Sequence, residues 1–456
     1  MYRKISPSLY PLIILLILLI SIGFNLFSIE FAREGDTLAL INGANEINKC
    51  IKHSQYFNCG FKVGHFPIFQ YIYILALKLI TSKDSIILLT IIFTNIIIFI
   101  ALASKIFYMG EKRSIADGII YTLFFVTGYI SWYSTSSFNE CLAFVLFAFL
   151  GIALTEGYCK KTTCFIIILI ILTKEINCLF VFMIILTNIY LNNRKIKEIK
   201  LIILNNIPYL FSILLGVIIN ILFNIFRFGT FRNLPLLDDK FLTPENFILN
   251  YFYQLFFSPA AGLLYVWPLL LLMLIYPILS NSVKNKFVAI LLIFMLLILN
   301  FGLAHWYSPF GWYSWGPRLT LPLLGFIYIY LIYYYGEIYT KKIKIIINKI
   351  GTSLFSFFFI IIISPNLALR WDSWAYFKAI STPSEISYKH NIVPLYVDSV
   401  DSVIFALSEL ERFNRRSILD FTLEVFSNYQ FLGSITFIGV YILFSIVNMS
   451  PSLKKY

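Results

Sequence analysis

Apolar residues fill this chain in long unbroken runs, and polar residues fall between them in short bursts. Twelve runs stand out, at approximately 9–29, 85–107, 115–133, 140–156, 162–174, 176–191, 201–224, 260–279, 286–304, 319–337, 350–368 and 431–448. Most approach the ~20 residues that a helix needs to cross the hydrocarbon of a bilayer. Lipid offers no partner to bare backbone groups, so only helices and closed barrels span it. A barrel needs short segments of alternating polarity, and these runs are continuous. The pattern predicts an all-α polytopic membrane protein with about twelve transmembrane helices.

Segment 67–80 is apolar but short, and it is followed by Lys83. Counted as a span, it would move every later basic loop to the opposite side. We read it as a helix lying in the outer interface. A second amphipathic pattern runs through Val400, Val403, Ile404, Leu407 and Leu410, spaced i, i+3, i+4, i+7 and i+10, with Asp401 and Glu409 off that face. The chain then divides into a transmembrane module at 1–368, an outer-face segment at 369–430, and a final span with an inner tail at 431–456.

Composition agrees with the pattern. Of 456 residues, 59% are hydrophobic and 13% charged, where soluble domains carry about 25% charged residues. A net charge of +13 would suit nucleic acid, but its placement argues against it. Basic residues cluster in short loops: Lys112 and Arg113, Lys160 and Lys161, Arg194 to Lys200, Lys284 and Lys286, Lys341 to Lys349, Lys454 and Lys455. That is the positive-inside arrangement. The first run is too long for a signal peptide and is read as an uncleaved span. Both termini are then cytoplasmic.

This topology sends the long segments 30–84, 225–259, 305–318 and 369–430 outside, with all four histidines. Cys141, Cys159, Cys164 and Cys178 lie in or at the ends of spans and read as small apolar fillers. Cys50 and Cys59 share the first outer loop. On an oxidising face they could close a loop worth roughly 2–3 kcal/mol.

Ionisable residues avoid the span centres. Asp36, Glu46, Glu140, Lys174, Glu175 and Arg318 sit instead at outer ends. Transporters usually bind substrate near the midplane on broken helices related by internal repeats, and the sequence shows neither feature clearly. No inner loop is long enough for a nucleotide-binding domain, and no phosphate-binding glycine loop is present. Outer-face chemistry without nucleotide needs an activated substrate already in the membrane. A polyprenyl-phosphate-linked sugar fits, with lipid in the bilayer, phosphate at the interface and sugar outside.

Each candidate has a plain competitor. Asp36 could deprotonate an acceptor hydroxyl, or simply start the helix-compatible run TLALINGANEI. Glu140 could assist it, or serve as a carboxylate favoured at a helix N-terminus. Lys174 could meet a lipid phosphate, or snorkel from a tight turn. The stretch HWYSPFGWYSWGPR (305–318) packs six aromatic rings before Arg318. Arginine grips phosphate bidentately, and His65, His305, Trp306, Trp312, Tyr313 and Trp315 could line a sugar or acceptor pocket. The competitor is an interfacial aromatic belt. A divalent metal is a candidate cofactor, with Glu46, His65, Glu140 and His305 as available ligands, although no tight ligand spacing is present.

In these features the chain resembles the GT-C superfamily of membrane glycosyltransferases, which includes protein mannosyltransferases and the aminoarabinose transferase of lipid A. The likeness rests on Asp36 after the first span, HFPIFQYI (65–72), Glu140, LTK (172–174), FFSPAAGLLYVWPLLLL (256–272) and WYSWGPRLTLPLLG (312–325). It covers about residues 9–335. Phe66 departs from the family's His-Pro-Pro, and Ala260 and Ala261 stand where many members have Gly-Arg. The resemblance implies that Asp36 is the candidate catalytic base or the acid that positions the acceptor, and that Glu140 assists it or helps hold a divalent metal. It implies that Lys174 and Arg318 stabilise the departing polyprenyl phosphate, with inversion at the anomeric carbon. The expected partners are the lipid-linked donor, a lipid, glycan or protein acceptor, and membrane lipids. The bacterial-type motifs place the chain in an inner membrane with its active site on the periplasmic face. Two other expectations stand beside this one: a transporter or flippase of lipid-linked saccharides, and a non-catalytic subunit of an envelope-polysaccharide complex.

Overall fold

The structure, a computed structural model, describes residues 36–54, 59, 68–134, 139–192, 199–231, 245–257, 262–281, 286–305, 318–371 and 418–450. No strand forms among them. Two helices precede the long apolar series: α1 (Asp36–Lys52) and α2 (Ile68–Ile80). The series then runs α3 (Asp84–Glu111), α4 (Ile115–Val126), α5 (Ile130–Ser134), α6 (Asn139–Glu156), α7 (Lys160–Thr173), α8 (Asn177–Asn192) and α9 (Ile199–Phe228). It continues through α10 (Glu245–Phe257), α11 (Leu263–Val266), α12 (Pro268–Leu279), α13 (Phe287–Ala304), α14 (Leu321–Ile350), α15 (Thr352–Trp371), α16 (Ile418–Ser427) and α17 (Gln430–Met449).

Among the described residues, six helical stretches are long and apolar enough to cross a membrane: Asp84–Glu111, Asn139–Glu156, Asn206–Phe228, Phe287–Ala304, Arg318–Ile350 and Gln430–Met449. Shorter apolar helices include Ile115–Val126, Asn177–Leu191, Pro268–Leu279 and Thr352–Leu367. The run at 9–29 and the amphipathic pattern at 400–410 lie outside the described residues.

Helix α14 is the central strut. It meets α6 where small residues allow close approach, as membrane helix pairs require. A Cβ on Gly325 would collide with the Phe144 carbonyl, and one on Gly151 would stand 3.1 Å from Ile329. Four tyrosines of α14 then tie it to four other helices. Tyr328 donates its hydroxyl to the Tyr121 carbonyl of α4 and Tyr330 to Asn188 of α8 at 3.2 Å. Tyr339 donates to the Met273 carbonyl of α12 at 2.7 Å, and Tyr335 accepts from the Ala289 N–H of α13 at 3.1 Å. That N–H belongs to the first turn of α13, where no intrahelical acceptor exists.

Two runs that read as single spans are broken. The run at 115–133 stops at Val126 and restarts at Ile130; that at 260–279 is interrupted at Trp267. The breaks pack against each other. A side chain on Gly128 would strike the Trp267 indole. Freed carbonyls find side-chain donors: Trp267 Nε1 donates to Phe124 O at 3.0 Å, Asn366 Nδ2 to Thr127 O, and Ser131 Oγ to Gly128 O at 2.8 Å. Pro268 opens α12 because its missing N–H costs nothing at that position.

The run at 319–337 also differs from expectation. The helix continues to Ile350, through residues expected to form a basic loop. Ile343 and Ile347 are buried while Lys341, Lys342 and Lys349 face out, so one apolar stripe carries the helix past the end of the hydrophobic run.

A small second core lies apart from the main one. Leu40, Ile41, Ala44 and Ile47 of α1 pack with Tyr71 and Ile74 of α2 and with Ile87 and Ile91 of α3; Phe223 and Phe226 of α9 close it. A disulfide joins Cys50 to Cys59, and the Cys59 N–H donates to the Phe226 carbonyl at 2.9 Å. The unit of α1 and α2 is thereby capped onto one end of α9.

Contacts of charged side chains sort to the two ends of the bundle. At one, Glu156 takes Lys105 at 2.6 Å and Lys112 at 3.0 Å, and Lys344 donates to the Ser450 carbonyl at 2.8 Å. We call this the basic end. The other holds the candidate site.

Candidate functional site

The site end is built from helix termini. Helix α6 opens at Asn139, so Glu140 lies in its first turn, where the helix dipole favours a carboxylate. The turn Arg318–Thr320 leads into α14. The Arg318 Nε lies 3.2 Å from Glu140 Oε1, with side-chain exposures of 9% and 16%. Thr320 fixes the arginine's turn, donating to Asn300 Oδ1 of α13 at 2.6 Å; Asn300 in turn donates to the Leu296 carbonyl at 3.0 Å.

Lys174 stands beside this pair in the chain of contacts. Asn139 Nδ2 reaches the Thr173 carbonyl at 3.4 Å, joining the start of α6 to the end of α7. Asn177 Nδ2 holds Ile170 O at 3.2 Å and Thr173 Oγ1 at 3.0 Å, supplying donors to a helix end that lacks them. Lys174 follows in extended backbone with an exposed side chain. Glu140 in the first turn of α6, Lys174 just past α7 and Arg318 just before α14 therefore occupy one end of the bundle.

The other expected residues are placed less closely. Asp36 is the first residue of α1, so the helix expected after it forms; its side chain lies outside the described residues. Glu46 pairs with Lys49 at 2.7 Å on an exposed face. His305 caps the C-terminus of α13, and its Nδ1 donates to the Phe301 carbonyl at 2.9 Å. His65, Trp306, Trp312, Tyr313 and Trp315 lie outside the described residues. Among the described residues, no three His, Cys, Asp or Glu side chains gather as a metal site.

Two buried charges were missed in the sequence. Arg227, 1% exposed near the end of α9, has its guanidinium carbon 4.4 Å from the Phe228 ring centre and 5.4 Å from that of Phe223. A cation set among phenylalanines in FNIFRFG was the available signal. Asp117, 5% exposed in the first turn of α4, takes Ser114 Oγ on Oδ2 at 2.5 Å and Tyr121 and Thr340 hydroxyls on Oδ1 at 3.1 and 2.5 Å. Its N–H donates to Ser114 Oγ at 3.0 Å. Ser114-x-x-Asp117 is thus a helix cap, and its burial comes from α14.

A buried arginine paired with a carboxylate, with an exposed lysine at the same end, can hold an anionic oxygen group and match charge developing on it. Comparison with known proteins returns no match, whether to a family model, a curated protein or a solved structure.

Proposed function

We propose that this chain is a GT-C-type membrane glycosyltransferase that moves a sugar from a polyprenyl-phosphate donor to an acceptor on the periplasmic face of a bacterial inner membrane. The observation that carries the reading is the Glu140–Arg318 pair, with Lys174 at the same end of the bundle, opposite Lys105, Lys112 and Lys344. The positive-inside rule then assigns the basic end to the cytoplasm.

The chemistry follows from the charges. The acceptor oxygen attacks the anomeric carbon, and its proton passes to the Asp36 carboxylate. The bond from that carbon to the phosphate oxygen breaks, and its electron pair remains on the phosphate. Lys174 and Arg318 balance this new charge, with inversion at the sugar. Before donor binds, Glu140 occupies Arg318. A phosphate that takes the guanidinium bidentately displaces Glu140, which is then free to orient the acceptor beside Asp36.

The test is sugar transfer in membranes carrying the protein, from a panel of radiolabelled polyprenyl-phosphate sugars. Transfer should be lost in Asp36→Asn, and Arg318→Ala should lower kcat/KM by at least ~100-fold. Transfer that survives both substitutions would defeat the reading. A second reading, a flippase of lipid-linked saccharides, is favoured by the paired helix breaks at Gly128 and Trp267. It predicts donor crossing the bilayer of reconstituted vesicles without any sugar transfer.

A further inference from the structure

We propose that Arg227 is a positioning residue: with Glu175 and Tyr71 it locks the Lys174–Glu175 turn to the capped unit of α1 and α2, setting where Lys174 stands. The inference rests on the reading of Lys174 as a phosphate ligand and adds a residue to it.

Three elements meet at the end of α9. The α7–α8 turn arrives through Glu175, whose Oε1 accepts from Asn224 Nδ2 at 3.1 Å. Asn224 and Arg227 are three residues apart, so they share a helix face, and the Asn224 bond brings the Glu175 carboxylate to that face. Helix α2 arrives through Tyr71, 1% exposed, whose ring centre is 5.8 Å from that of Phe223. The first loop arrives through the Cys59 bond to Phe226, the residue before Arg227. A fully buried arginine is costly unless its charge is answered. Here the Phe223 and Phe228 rings hold its plane, and Asn224 ties the Glu175 carboxylate to the same end of the helix. Lysine in its place would keep the charge but lose the planar fork and the stacking.

The geometry gives Arg227 no place at the surface, so it acts on a ligand only through Lys174. Two measurements on the full-length protein in nanodiscs test this. The first is the labelling rate of Lys174 by a membrane-impermeant amine reagent, read by mass spectrometry with exposed Lys349, at the far end of α14, as the internal control. Arg227→Gln should change the Lys174 rate several-fold and leave Lys349 unchanged. The second is binding of undecaprenyl phosphate. Lys174→Ala and Arg227→Gln should each raise the dissociation constant about tenfold, the worth of one charge-assisted hydrogen bond. Arg227→Lys should raise it less, and Arg227→Gln should add nothing in the Lys174→Ala background.

Unchanged Lys174 labelling overturns the proposal, even if Arg227→Gln lowers the melting temperature, because that marks a role in stability alone. Additive losses in the double variant also overturn it, since Arg227 would then act independently of Lys174. If labelling shifts as expected while Lys174→Ala and Arg318→Ala leave lipid-phosphate binding intact, the positioning role stands. The phosphate reading of the site then falls separately.

Discussion

Glu140 and Arg318 show how little of their energy need go to stability. Desolvating two charges offsets most of their attraction, so a buried pair is weak evidence for a stabilising role, while removing one partner costs about 3–5 kcal/mol. What the pair secures is arrangement: it fixes the starts of α6 and α14 against each other at the surface where chemistry is proposed. Cys159 offers a residue-scale test at the opposite end. It is exposed at the start of α7, with its Sγ 3.0 Å from Thr162 Oγ1. That hydrogen bond, together with the Thr162 backbone N–H and the Lys161 charge, holds the thiol below its ordinary range. Only the thiolate is alkylated, and a lowered pKa means a larger thiolate fraction at any pH through the titration. The pH at half-maximal alkylation should therefore lie below that of an unperturbed exposed thiol. Thr162→Val should move it back up, and an unchanged profile would count against the bond. The same reagent in membrane-impermeant form should reach Cys159 from the cytoplasmic side only.

At the scale of elements, α14 carries the bundle because its faces are specialised. One face is small enough at Gly325 to let α6 in, and the others carry hydroxyls that reach α4, α8, α12 and α13. Gly325→Leu should force α6 and α14 apart. Overpacking typically costs about 1–3 kcal/mol, and because Arg318 and Glu140 stand at the tops of these helices, lipid-phosphate binding should weaken with the thermal midpoint. A variant of wild-type stability would show that the helices can part without loss. This packing was only partly legible. Continuous apolarity marked α3, α6, α13 and α17 to within a few residues, since burial of such runs leaves helix as the only backbone solution. The same continuity hid the breaks at Gly128 and Trp267, because hydropathy does not register a lost turn when both halves stay apolar. Pro268 was the readable sign at the second. The extension of α14 to Ile350 was masked by its lysines, whose charge reads as loop while Ile343 and Ile347 keep the helical stripe. Arg227 and Asp117 were missed for a related reason. A single charge inside an apolar run gains meaning only from partners distant in sequence, such as Thr340 for Asp117.

At the scale of the whole molecule, a small core lies apart from the large one at one end of the bundle. The large core is held by many helices, whereas the small one depends on α1, α2 and the ends of α3 and α9. A unit with few buried contacts opens at lower free energy than the bundle beneath it. The Cys50–Cys59 disulfide is placed to offset that weakness, since it closes a short loop whose far cysteine is bonded to Phe226. Its loss should be local. Reduction, or Cys50→Ser with Cys59→Ser, should cost about 2–3 kcal/mol of the small unit's stability, read as faster amide exchange through α1 and α2. Exchange in α6 and α14 should be unchanged. If exchange rose throughout, the two cores would be a single cooperative unit. The redox requirement also fixes a direction: a structural disulfide persists in the periplasm and not in the cytoplasm. Finding Cys50 and Cys59 oxidised in intact cells would place the end that carries Glu140, Lys174 and Arg318 outside, independently of the lysine distribution. Finding them reduced would reverse the topology and remove the site from the face where a lipid-linked donor is proposed to meet its acceptor.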